Sequence, residues 1–191
     1  PKPVGNDELS AITTDSLNNI YVGYTNGWVA EIRGSSFQLL SLKKISSRPI
    51  TSLLYHKSGR LIITTAGDGF YVTGKNGLLH VTEGDGLSDN YVYKCITVNQ
   101  QDFWFATDKG ITVFNLGNLA LVKTKYNDKN FLNDNIVRDL FKDETGKIWL
   151  AMQDSGICYF DPKRSSFFSV AEFNNWKYGQ VNSIKVSNNS I

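Results

Sequence analysis

The sequence predicts an all-β chain made of repeated four-stranded antiparallel units. A large apolar or aromatic anchor recurs at Tyr21, Ile62, Trp104 and Trp149, a period of about 42 residues and within the range that marks repeat architectures. A small residue stands two positions after each anchor, at Gly23, Thr64, Ala106 and Ala151. A glycine closes each segment at Gly27, Gly69, Gly110 and Gly156. Between these landmarks lie short apolar runs bounded by turn residues.

Each unit opens with an apolar strand, carried by Leu9 and Ile12, Ile50 and Leu53, Val92 and Cys95, and Val137 and Leu140. Turns follow at Asn18-Asn19, Ser58-Gly59, Gln101-Asp102 and Thr145-Gly146, mostly residues that tolerate positive φ or bond to their own backbone. The second strand contains the anchor and is apolar at successive positions, as in Phe103, Trp104 and Phe105, so both of its faces must be covered. Its shortness, its flanking Gly, Asp and Asn, and its wealth of Val, Ile and aromatics favour strand over buried helix. Third strands are expected at 29–32, 70–72, 111–114 and 157–160. Fourth strands are expected at 37–42, 78–81, 121–125 and 167–170.

Four short antiparallel strands whose inner members are covered on both faces describe a β-propeller blade packed between its neighbours. The repeats span approximately 6–45, 46–87, 88–132 and 133–178, and 179–191 is expected to be the first strand of a further blade, with Val181 and Ile184 in the first-strand positions. The reading is a partial propeller of about four blades plus the start of a fifth, cut from a longer protein; the alternative is a complete four-bladed ring. Small residues after the anchors are expected where strands crowd. A partial ring leaves blade faces uncovered, so self-association is expected.

Composition narrows the function classes. Twenty Lys and Arg against 18 Asp and Glu, scattered without basic runs, offer no stripe for nucleic acid. The apolar runs are far shorter than the roughly 20 residues that cross a bilayer as a helix, so no membrane contact by this segment is expected. Cys95 and Cys158 lack the spacing of a zinc site and read as buried, free core residues.

No catalytic constellation emerges, and no cofactor or metal is expected. His56 and His80 stand at different places in their repeats, without a nucleophile or acid motif nearby, and read as surface residues. Gly67-Asp68-Gly69 and Gly84-Asp85-Gly86 lead into strand or loop and read as turns, not phosphate cradles. The oxygen-rich stretch from Asn127 to Asn135 lacks the central Gly and terminal Glu of a calcium loop.

The strings Leu132-Asn133-Asp134-Asn135, Val137, Leu140, Asp143, Gly146, Ile148-Trp149, Ala151, Gly156-Ile157 and Phe160-Asp161 resemble the two-component regulator propeller repeat. The third repeat matches through Leu87, Val92, Phe103-Trp104, Ala106, Gly110-Ile111 and Phe114-Asn115. The first two are weaker, with Tyr21 and Ile62 where Trp is usual. The resemblance implies an extracytoplasmic, periplasmic sensor region of a histidine kinase, as in Bacteroidetes hybrid systems, binding an oligosaccharide and signalling through protomer packing. The alternative is a structural or protein-binding propeller of a secreted or surface protein. Aromatics without a counterpart in most repeats, Trp28, Trp176 and Tyr178, are the candidate ligand-binding residues, because exposed rings suit carbohydrate C–H groups and protein interfaces.

Overall fold

The computed structural model describes residues 8–75, 77–126, 136–170 and 181–185, with side chains 123–126 excepted. It is all-β, with four four-stranded antiparallel sheets. The first sheet comprises β1 (Leu9–Thr14), β2 (Ile20–Tyr24), β3 (Trp28–Arg33) and β4 (Gln38–Lys44). The second comprises β5 (Ile50–His56), β6 (Arg60–Thr65), β7 (Phe70–Gly74) and β8 (Gly77–Val81). β9 (Val92–Thr97), β10 (Asp102–Thr107), β11 (Gly110–Asn115) and β12 (Ala120–Tyr126) make the third. β13 (Val137–Lys142), β14 (Ile148–Met152), β15 (Gly156–Asp161) and β16 (Ser166–Ser169) make the fourth. Spatial order follows chain order in every sheet, the meander of propeller blades.

The second strands carry the anchors and are covered as their composition requires: all of β14, and Phe103 through Thr107 of β10, are buried. The hairpins ahead of them turn through the left-handed region at Asn18 (φ 60°), Gly59 (φ 80°) and Gly146 (φ 90°). The fourth strand of the first sheet begins one residue later than expected. Phe37 takes a left-handed turn (φ 53°) and leaves its ring in solvent, as Leu119 and Ser165 take the same conformation ahead of β12 and β16.

Compact packing divides the chain within β9, at Cys95, into two units. In the first unit the small residue after the anchor has a direct cause. A Cβ on Gly23 would lie 2.6 Å from Ile50 Cγ2, so the second sheet approaches too closely for any side chain there. Val29 packs with Ile50, Leu53, Leu61, Ile63 and Tyr71 in the core between the first two sheets.

In the second unit the Trp104 ring lies 5.1 Å from Phe160 and 6.3 Å from Phe167, between the third and fourth sheets. Trp149 and Ala151 in turn bury Ile184. The buried Asp139 carboxylate of β13 accepts from the Ser183 hydroxyl (2.9 Å) and the Ile184 amide (3.0 Å), tying this segment to the fourth sheet. Residues 181–185 form no strand, and the rest of the first strand expected over 179–191 lies outside the described residues.

Cys95 and Cys158 are buried and free, and burial pushes the Cys95 thiol well up. His56 corrects the sequence expectation: it is buried (7% exposed) at the end of β5. Its Nδ1 meets the Ser58 hydroxyl at 2.9 Å and the Ser58 amide at 3.3 Å, so the ring caps the β5–β6 hairpin. That is the task of Asp15 and Asp143 in their own repeats, where each accepts from the turn amides that follow it. Burial, and then Lys57, push its pKa down. His80 is exposed as expected. Gly84 and Asp85 sit in a single 3-10 turn, Glu83–Asp85, closed by Gly86 at φ 102°.

Candidate functional site

The four sheets can be compared across their strands at the level of the anchor. In the second sheet this row reads Leu54, Ile62, Val72 and Leu79. In the fourth it reads Phe141, Trp149, Tyr159 and Phe168. In the third, Trp104 faces Val113, which faces Val122. In the first sheet the same row reads Thr13, Tyr21, Glu31 and Ser41. Cross-strand neighbours on one face touch, so three polar side chains replace an apolar stripe in one contiguous line. The Tyr21 hydroxyl donates to Glu31 Oε1 (3.3 Å) and approaches Asp15 Oδ2 (3.4 Å), and the Ser41 hydroxyl donates to Glu31 Oε2 (3.2 Å).

This row opens onto a cavity of about 240 Å³ between the first two sheets. Tyr21, Glu31, Ser41 and Lys43 line one wall, and Tyr55, Leu61 and Ile63 line the other. Val29 and Ile45 complete its apolar part. The rings of Tyr21 and Tyr55 stack at 5.3 Å with an interplanar angle of 20°, joining the two walls. Burial first, then the charges of Glu31 and Asp15, push the Tyr21 phenol far up, so it acts as a hydrogen-bond donor at all physiological pH. Among the described residues neither Glu31 nor Lys43 has an oppositely charged side-chain partner.

A second polar cluster surrounds Asp68 in the β6–β7 turn. Its Oδ2 accepts from Ser46 Oγ (2.5 Å) and the Tyr71 hydroxyl (2.6 Å), and its Oδ1 lies 3.5 Å from His80 Nε2. The His80 ring stacks on Tyr71 at 4.1 Å. Burial raises the Asp68 pKa, but the hydrogen bonds of Ser46 and Tyr71 and the nearby His80 and Arg48 outweigh it and hold the pKa low. Tyr71 is pushed up to about 12, by burial and then by Asp68. The Asp68 carboxylate is shared among these neighbours, and the cluster ties the loop after β4 to the second sheet.

Trp28 begins β3 and packs against Val22, Tyr24 and Ala30, away from the cavity. Trp176, Tyr178 and the stretch from Asn127 to Asn135 lie outside the described residues. The repeat anchors Tyr21, Trp104 and Trp149 pack between sheets or against the following segment, and Ile62 is buried. Sequence reasoning passed over Glu31, Ser41, Lys43 and Tyr55. Their signal was a charged residue opposite the anchor in one repeat of four, visible once strand register is known.

No protein-family profile and no curated protein matches this sequence. Solved structures do. One is the extracellular domain assigned to hybrid two component system BT3049 from B. thetaiotaomicron, with TM-score 0.70 and 15% identity over 88% of this chain and 24% of that one. A second is the corresponding domain of BT4673 from the same organism, with TM-score 0.71 and 17% identity over 90% of this chain and 26% of that one. The β-propeller domain of Myceliophteria thermophila Cps50 matches with TM-score 0.62 and 12% identity, over 90% of this chain and 61% of that one. The fold is therefore a partial β-propeller, similar to extracellular propeller domains of Bacteroides two-component systems. The chain spans about a quarter of the length of those two domains.

Proposed function

We propose that this chain is part of the extracytoplasmic sensing region of a two-component histidine kinase, held in the periplasm, which binds an oligosaccharide and signals by a change in protomer packing. The observation that carries this reading is the similarity to the two B. thetaiotaomicron extracellular domains, together with the repeat signature around Trp104 and Trp149. In this reading the chain binds and transmits, and carries no reaction of its own. Titrating the whole sensor region with a panel of oligosaccharides tests it: saturable binding of one member is the expected result, and no response to any member overturns sugar sensing.

A second reading, a propeller that presents a protein-binding face, is supported by Leu9 and Ile12, each 70% exposed where the other repeats bury their counterparts. The gene product separates the two. A membrane helix and kinase module downstream support the sensor, and a chain without them supports the presenting propeller.

A further inference from the structure

The polar row of the first sheet demands a physical reason, because the equivalent rows of the second and fourth sheets are apolar throughout. Packing alone favours an apolar stripe at this level, as those repeats demonstrate. Placing a carboxylate there costs desolvation unless a partner compensates it. Its two hydroxyl partners sit at 3.3 and 3.2 Å, longer than an ordinary O–H···O bond, and a carboxylate has about four acceptor sites. Glu31 therefore retains capacity for a charged donor.

Lys43 supplies the opposite charge on the same wall. It faces Val29 across the β3–β4 ladder, and Ser41, two residues before it, faces Glu31. Glu31 and Lys43 are thus diagonal neighbours, with backbones about 7–8 Å apart. They are held by a sheet rather than by a loop, so the spacing of the two charges is built into the strand register. The opposite wall is lined by the half-buried Tyr55 with the buried Leu61 and Ile63 behind it. The Thr73 hydroxyl on this wall accepts from the Leu61 amide at 2.8 Å and keeps its own proton to donate.

A neutral sugar could lay its C–H face on the Tyr21–Tyr55 rings but has no charge to set against Glu31 and Lys43. The charges of this cavity stand on one wall only, and the other wall carries the hydroxyls of Tyr55 and Thr73 among apolar side chains. Its volume of about 240 Å³ exceeds the roughly 150 Å³ that encloses a benzene and falls below the range of drug-sized pockets. From the paired charges, the stacked rings beside them and the size, we propose that the cleft between the first two sheets binds a small zwitterion with an apolar tail, an apolar α-amino acid. Glu31 accepts from its ammonium group, Lys43 donates to its carboxylate, and the tail lies on Ile45 and the Tyr21–Tyr55 stack. This site does not depend on the sensor reading above.

Calorimetric titration of the 191-residue chain with L-leucine at millimolar concentration tests the site. Saturable binding is expected. 4-Methylpentanoate, which lacks the amine, and 3-methylbutylamine, which lacks the carboxylate, are each expected to bind about tenfold or more weakly, the scale of one charge-assisted hydrogen bond. Glu31→Gln, which preserves shape, and Lys43→Met, on the exposed rim, are expected to weaken leucine by a similar factor, while Lys57→Met leaves it unchanged. Circular dichroism confirms that the variants are folded. Absence of leucine binding by the folded wild-type chain, equal binding of the uncharged-end analogues, binding of D-glucose in preference to leucine, or indifference to both variants overturns the proposal.

Discussion

Asp143 holds its hairpin and its anchor with a single side chain. Oδ1 accepts from the Thr145 amide (2.9 Å), the Thr145 hydroxyl (2.7 Å) and the Lys147 amide (3.0 Å), and Oδ2 accepts from Trp149 Nε1 (2.7 Å). Asp15 does the same for the β1–β2 hairpin and approaches the Tyr21 hydroxyl. Burial raises the Asp143 pKa, but the hydrogen bonds from Trp149, Thr145 and Lys147 outweigh it, so the folded value lies below the ordinary 3.8. Protonation therefore favours the unfolded chain. The stabilisation is complete above the ordinary value and is lost as pH falls through the folded one. Asp143→Asn keeps one acceptor oxygen and is expected to cost about 1–3 kcal/mol at neutral pH. Urea midpoints followed by Trp fluorescence between pH 7 and pH 2 check this. The gap between wild type and variant closes toward low pH, and a gap independent of pH refutes the role assigned to the carboxylate.

At the scale of the strand and its turns, the repeated glycine has a cause that the sequence hints at and the backbone makes explicit. All four take positive φ: Gly27 (84°), Gly69 (64°), Gly110 (91°) and Gly156 (74°). At Gly69 a Cβ would also lie 2.1 Å from the Val81 carbonyl oxygen, whereas at Gly146 (φ 90°) a Cβ would meet nothing within 4 Å. Gly146→Ala is accordingly expected to cost only the left-handed conformation, about 1–2 kcal/mol. Gly69→Ala should cost clearly more, because the β7–β8 pairing must shift as well; thermal melts of the two variants check the order, and equal losses contradict it. The strands themselves were readable, since successive apolar residues such as Phe103 to Phe105 admit only an element covered on both faces. The polar row was not. Recognising that Glu31 stands beside Tyr21 and Ser41 requires strand register, and a repeat alignment compares positions along the chain without saying which of them touch. His56 was misread for a related reason: its position looked arbitrary until its ring was seen to take the turn-capping place held elsewhere by aspartate.

Across the molecule, the faces of the sheets are unequally covered. Ile50, Leu53, Val92, Cys95, Val137 and Leu140 are buried, but their counterparts in the first repeat, Leu9 and Ile12, are each 70% exposed. Apolar side chains that every other repeat covers are a ready contact for a second copy. The 191-residue chain is expected to self-associate as concentration rises, and the double variant Leu9→Ser, Ile12→Ser should weaken that association. Light scattering over a concentration series measures it, and a strict monomer at the highest concentration rules it out.

The void that Gly23 leaves for Ile50 sets limits on how such a chain can be recombined. The two halves of that fit are encoded in different repeats, and Ala151 and Ile184 show the same arrangement at the other end of the described chain. A segment duplicated or transplanted at the repeat boundary brings its own Ile50 but leaves its matching glycine behind. A bulkier side chain at the new junction would then hold the sheets apart. The portable unit is therefore the seam between two sheets, inner face with facing strand, and a graft that respects the seam keeps its packing where one that respects the blade does not.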